Sequence, residues 1–155
     1  MLIRALIAFL ALPGVVAGLV PALLLSLDRH HGGISVYGFV LLVPGLLCLL
    51  WCVRDFFVSG RGTLAPWDPP RSLVIVGLYR FVRNPMYLAV LMIVLGWSVA
   101  AGSRLLGGYT GFLAVVFHLR VLFYEEPRLH RQFGREWSAY SASVSRWVPR
   151  IPSRR

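Results

Sequence analysis

Residues 77–89 read GLYRFVRNPMYLA, and at Asn84-Pro85 this stretch turns from a basic loop into an apolar helix. Asn is a favoured helix N-cap and Pro suits the first helical position, so the dipeptide marks a helix start on local grounds alone. Those grounds leave Tyr79, Arg80, Arg83 and Tyr87 unexplained, crowded into the same few turns. The helix they introduce, residues 85–101, is uncharged over 17 residues and closes on Gly102-Ser103-Arg104. That is the short end of the length that crosses a bilayer, and counted with its turn the span covers 85–103.

Working outward, three more apolar runs frame this one. Residues 5–27 hold no charge over 23 positions, which as helix is about 35 Å, enough to cross a core of roughly 30 Å. The run exceeds the apolar region of a signal peptide, so a membrane helix is expected, kinked at Pro13 and Pro21. Residues 34–53 form a second span closed by Arg54-Asp55 and Phe56-Phe57. Residues 105–124 form the fourth, a hairpin partner for the third, with Gly107, Gly108 and Gly111 expected to allow close approach. Between the second and third lies a long loop, 59–84, rich in Gly and Pro; Trp67, Pro69-Pro70 and the apolar patch 73–76 predict an ordered loop lying on the membrane.

Composition agrees with a bilayer protein. Of 155 residues, 57% are apolar, and mean hydropathy is +0.71, more than a soluble domain of this size hides from water. All sixteen basic residues are arginines, set against six carboxylates. The arginines cluster between spanning runs, which points to an anionic membrane face as partner and away from nucleic acid. Arg4, Arg54, Arg61, Arg71, Arg80, Arg83 and the tail arginines fall on one side of a four-span topology, Arg29 and Arg104 on the other. Both termini, the loop and the tail are therefore expected in the cytoplasm, and a bacterial inner membrane is the expected location, for a single all-α polytopic domain covering 1–155. Cys48 and Cys52 read as inert thiols on an apolar helix, and His30-His31 as part of a solvated turn; neither pair has the partners a metal site needs.

The tail is helical in pattern over 127–144. Leu129, Phe133, Trp137, Tyr140 and Val144 recur at spacings of 4, 4, 3 and 4, one apolar stripe on a helix that also carries Arg128, Arg131 and Arg135. Such a helix lies flat in the interface or caps the bundle. The arginines of 146–155, with Trp147, read as an anionic-lipid anchor.

Some polar residues resist explanation as packing. Glu125-Glu126 sit where the fourth span is expected to end, against the helix dipole, so nearby positive charge is required. His118 and Arg120 lie inside that span, and a seven-residue spacing would put His118 and Glu125 on one face. Because spans three and four form a hairpin, Arg83, Asn84 and Tyr87 meet Glu125 at the same membrane level. The set suits a ligand with a carboxylate, an ammonium, hydroxyls and a flat ring.

Gly77 to Tyr87 as G-x-Y-R-x-x-R-N-P-x-Y, then Glu125-Glu126, Phe133-Gly134, Trp137-x-x-Tyr140 and V-x-R-W-V-P over 144–149 resemble the isoprenylcysteine carboxyl methyltransferase family and related phospholipid methyltransferases. The resemblance covers about 60–149. It implies S-adenosylmethionine as cofactor, with Tyr79, Asn84, Pro85, Met86, Tyr87 and Glu125 in its pocket and Ser72, Leu73 and Val74 beside it; Arg83 and Glu126 are expected to bind the cofactor with them. From their positions, Arg83, Glu125, Arg120 and His118 are the expected catalytic group, Arg120 or His118 positioning a lipid-like or small amphiphilic acceptor that offers a carboxylate, thiol or amine. The family usually has His at Asn84 and Gly at Ala89, and Val121 stands where eukaryotic members place an arginine near substrate. The competing readings are an NADPH-dependent membrane sterol or lipid reductase, which carries a similar pattern, and a non-catalytic helical membrane protein.

Overall fold

A computed structural model describes residues 10–29, 32–59 and 72–150, and every regular element among them is helical. Residues 5–9 of the first expected span, His30-His31, the loop residues Arg61, Trp67 and Pro69-Pro70, and residues 151–155 lie outside the described residues. The first helix begins as π-helical turns, Leu10–Leu19, and becomes α1, Val20–Leu27. Proline has no N–H, so Pro13 and Pro21 each delete an i→i−4 bond; Pro13 lies within the wide turns and Pro21 at the start of α1.

A 3₁₀ turn, Val36–Gly38, leads into α2, Phe39–Ser59. This helix runs past the expected end at residue 53, because its charges are accommodated without breaking it. Arg54 extends outward with its side chain 72% exposed, while Asp55 is buried beside Gly77. A 3₁₀ turn, Gly77–Arg80, precedes α3, Pro85–Ala101, which has the expected bounds. Gly102, at φ 60°, provides the left-handed residue that stops it, and Ser103 caps α4, Arg104–Arg120, by accepting from the Leu106 N–H.

The fourth expected span does not end at 124. α4 passes through π-helical turns, Val121–Glu125, straight into α5, Glu126–Ser143. Pro127 explains the wide turn: in a regular α-helix its ring meets the carbonyl of Phe123, and a π turn relieves that clash. Glu125 and Glu126 therefore sit inside a continuous helical run, and the unfavourable C-terminal dipole inferred for them does not exist. α5 breaks once, at Gly134, whose φ of 49° and ψ of −113° suit glycine.

The tightest helix approach is between α2 and α3, where a Cβ on Gly38, Gly45 or Gly96 would press into the facing helix. Of the three α4 glycines expected to serve this purpose, only Gly107 nears its partner, its Cβ position 3.3 Å from Ser98 Oγ. Leu49, Ala89, Val90, Val94, Leu113 and Phe117 form the central core with Ala17 of the first helix. At one end Ser103 donates to Asp28, and the Gly32 and Ser35 N–H groups donate to Ala101 and Ala100 carbonyls at 2.8 and 2.7 Å. Leu47, Leu50, Phe112, Val115 and Phe123 face outward, an apolar exterior a water-soluble monomer rarely presents. Among the described residues, Val36–Phe56 and Arg104–Ser143 are long and apolar enough to cross a membrane, and Pro13–Leu27 and Pro85–Ala101 are shorter apolar helices.

Candidate active site

Opposite the Asp28 clasp, the ends of α2, α3 and α4, the loop from Ser72 to Asn84 and α5 enclose a cavity of about 360 Å³. That lies within the range of roughly 300–1,000 Å³ common for small-molecule sites. The loop is closed across its base by the Ser72 hydroxyl, which donates to the Ser59 carbonyl at 2.8 Å. The apolar stripe of α5 meets the loop: Trp137, Tyr140 and Val144 cluster with Leu73, Ile75, Leu129 and Phe133. The tail helix thus caps the bundle through the loop. Tyr140 seals the contact by donating to the Tyr79 carbonyl at 2.7 Å.

Two carboxylate clusters follow from consecutive glutamates. Glu125, one residue before α5, accepts from the Tyr87 hydroxyl and from Arg120 Nε at 2.9 Å, and Arg120 Nε also approaches Tyr87 Oη at 3.1 Å. The third and fourth helices therefore meet at one level, as the hairpin expectation requires. Glu126 turns away to a second group, pairing with Arg83 at 3.1 Å and with Arg146 through Nε and Nη2 at 2.7 and 2.8 Å. Burial pulls the Arg83 guanidinium below the usual arginine range, opposed by Glu126, and it remains cationic. The Glu126 hydrogen bonds hold Arg146 above that range. Arg83 also lies over the Trp137 ring, 5.6 Å from its centroid, and its buried Nε has no hydrogen-bond partner.

Arg146 belongs to a strap after α5 that pairs with the opening stretch. The Arg83 N–H donates to the Ser145 carbonyl and the Arg150 N–H to the Phe81 carbonyl, both at 2.9 Å. Asn84 occupies the N-cap position of α3 but makes no side-chain cap; its amide donates to the Arg146 carbonyl at 3.1 Å. Arg146 and Trp147, expected as part of a lipid anchor, are half-buried and bonded within the protein, to Glu126 and to His118.

Of the residues singled out in the sequence, Ser72, Leu73, Val74, Tyr79, Arg83, Asn84, Met86, Tyr87, Arg120 and Glu125 line the cavity. Pro85 is buried behind it, and Glu126 reaches it only through Arg83. His118 is not among the lining residues. It is exposed, and its Nδ1 accepts from Trp147 Nε1 at 3.1 Å, so the inward polar track ending at Glu125 is not formed. The π turns between positions 121 and 125 break the spacing on which that expectation rested. The wall also contains Pro13 and Val16 of the first helix, Phe56, Val116, Phe117, Tyr124, Arg128 and Trp137. The apolar members carry no chemical signature, and only the tertiary arrangement identifies them.

The chain is 26% identical over 129 residues to Protein-S-isoprenylcysteine O-methyltransferase A of Arabidopsis thaliana, covering 78% of this chain and 62% of that protein. It is 33% identical over 95 residues to a Delta(14)-sterol reductase of Mus musculus, covering 58% of this chain and 22% of that protein. The chain thus spans less than two thirds of the length of either relative. No solved structure matches. A family model described as phospholipid methyltransferase matches residues 34–136, from the turn before α2 through the Glu pair to α5. With that match over well more than half its length, the chain belongs to the phospholipid methyltransferase family, an integral-membrane family whose methyl donor is S-adenosylmethionine.

Proposed function

We propose that this protein transfers a methyl group from S-adenosylmethionine to a lipid-like or small amphiphilic acceptor at the cytoplasmic face of a membrane. The observation that carries the reading is one cavity with two characters: Arg83, Asn84, Tyr87 and Glu125 at a polar end, Pro13, Val16, Val116 and Phe117 along an apolar side. The donor set fits the cofactor. Arg83 has a buried, unpaired Nε suited to a carboxylate, Glu125 offers a carboxylate for an ammonium or ribose, and Tyr87 and Trp137 present ring faces. Bound there, S-adenosylmethionine supplies an electrophilic methyl on a sulfonium, and a carboxylate or thiolate acceptor takes it without a general base.

The chain's own residues then contribute alignment and exclusion of water. Glu125 is held by Tyr87 and Arg120, Arg83 by Glu126 and Trp137, and α5 covers the loop through the Tyr140 contact. Four membrane spans, with both termini, the 59–84 loop and the tail in the cytoplasm, put the polar end of the cavity in water and its apolar side against lipid.

Calorimetry on the detergent-solubilised protein with S-adenosylmethionine and with NADPH tests the reading. Binding of S-adenosylmethionine, weakened by Arg83→Ala, is the expected result. The likeness to a sterol reductase supplies the second reading: binding of NADPH alone overturns methyl transfer in its favour, and binding of neither overturns both.

A further inference from the structure

We infer that Arg128 receives the anionic group of the methyl acceptor, a carboxylate or a phosphate, at the rim of the cavity. This inference rests on the methyl-transfer reading and adds the acceptor's charge to it.

The starting point is charge balance. The cavity wall holds three guanidiniums, those of Arg83, Arg120 and Arg128, against a single carboxylate, Glu125. Arg83 is paired from behind by Glu126, and Arg120 is paired by Glu125. Arg128 has no carboxylate within ion-pair distance among the described residues; its Nη1 donates to the Tyr124 hydroxyl at 2.9 Å. S-adenosylmethionine is itself net cationic, so loading it into this wall increases the positive excess instead of relieving it. The missing negative charge must come with the second ligand.

Geometry locates that charge. Arg120 and Arg128 both lie near the Tyr124 ring, 5.5 and 5.9 Å from its centroid, each one helical turn from it in sequence. The ring fixes both guanidiniums by cation–π contact and leaves their remaining N–H groups available. Arg83 lies over Trp137 and pairs with Glu126, so its partners differ from those of Arg120 and Arg128 in the same wall. The Arg83 side suits the donor's carboxylate. The Arg128 side continues from α4, whose Val116 and Phe117 form part of the apolar wall, and so suits an acceptor that arrives with its tail in lipid and its charged head at the rim.

The test uses the full chain in neutral detergent and three tail-matched probes, laurate, lauryl phosphate and lauryl alcohol, with binding followed by calorimetry at low and at physiological salt. Wild type is expected to bind at least one anionic probe about tenfold tighter than the alcohol, the size of one charge-assisted hydrogen bond. Arg128→Gln removes that preference, Arg128→Lys restores part of it, and Arg131→Gln, on an exposed arginine outside the cavity, leaves it unchanged. S-adenosylmethionine affinity stays within about twofold in all three variants. Preference for laurate over lauryl phosphate, or the reverse, identifies which anion the site takes. Equal binding of all three probes by wild type overturns the inference, as does an Arg128→Gln preference equal to wild type. Loss of S-adenosylmethionine binding in Arg128→Gln also overturns it, assigning Arg128 to the donor. A wild type that prefers anions yet never binds S-adenosylmethionine overturns the methyl-transfer reading instead.

Discussion

Two adjacent glutamates serve different purposes, and their partners predict different losses. Glu125 faces the cavity, and its ion pair with Arg120 is partly solvated, with side chains 27% and 45% exposed. Such a pair adds little to stability, so Glu125→Gln is expected to leave the thermal midpoint almost unmoved while weakening S-adenosylmethionine by about tenfold or more. Glu126 joins Arg83 of the loop to Arg146 of the strap, with side chains no more than 30% exposed. Glu126→Gln removes charge-assisted bonds to two arginines and is expected to cost about 1–3 kcal/mol, read as a lower thermal midpoint. Equal effects of the two substitutions on both readouts would refute the division. The sequence marks the pair as unusual for its position, yet the separation of roles comes from their directions on the helix, which residue types do not encode.

At the scale of elements, the boundaries written in local chemistry were legible. Asn84-Pro85 and Gly102 delimit α3, and the 3.6-residue stripe from Leu129 to Tyr140 locates α5. Continuity from α4 to α5 was not, because a proline, two carboxylates and an arginine after an apolar run look like a helix end. The π turns that join them have a testable cause. Pro127→Ala restores an N–H that can bond the Phe123 carbonyl and close the wide turn, which would rotate Glu125 relative to α4 by up to about 100°, one residue's worth of helix. The expected outcome is a thermal midpoint equal to or above wild type together with S-adenosylmethionine affinity reduced about tenfold; unchanged affinity would detach the π turns from the site. The docking of α5 on the loop carries its own pH signature. Burial raises Tyr79 and Tyr140 above the usual phenol range, so the folded state holds their protons more tightly than the unfolded chain. Their contribution is complete below the unfolded value near 10 and is lost as pH rises beyond it. A thermal midpoint flat to about pH 10 and falling above it is expected, with Tyr140→Phe showing a shallower fall.

For the molecule as a whole, the two ends have different chemistry, and that difference implies an orientation. One end is the small clasp of Asp28, Gly32, Ser35 and Ser103, with Arg29 and Arg104 nearby. The other gathers Arg54, Arg80, Arg83, Arg120, Arg128, Arg131, Arg135, Arg146 and Arg150 around the cavity and its cover. The charge asymmetry was legible in the sequence because counting arginines between apolar runs requires no tertiary information. The cavity's apolar side was not, since Pro13 and Val116 meet only when the first helix closes on the fourth. If positive charge fixes orientation, the clasp faces outward and the cavity faces the cytoplasm. Gly33 and Ala139 report on the two ends without disturbing either: both are exposed, and a Cβ at Gly33 meets nothing within 4 Å. In intact cells, a membrane-impermeant maleimide should label Gly33→Cys and spare Ala139→Cys, and inverted vesicles should reverse the pattern. The native Cys48 and Cys52 lie within α2 and give little background. Labelling of both positions from one side would mean an even number of spans between them and would remove the shared cytoplasmic level on which the donor's access to Arg83 and Glu125 depends. The opposite pattern would keep the four helices but invert them, placing the polar end of the cavity away from the cytosolic supply of S-adenosylmethionine.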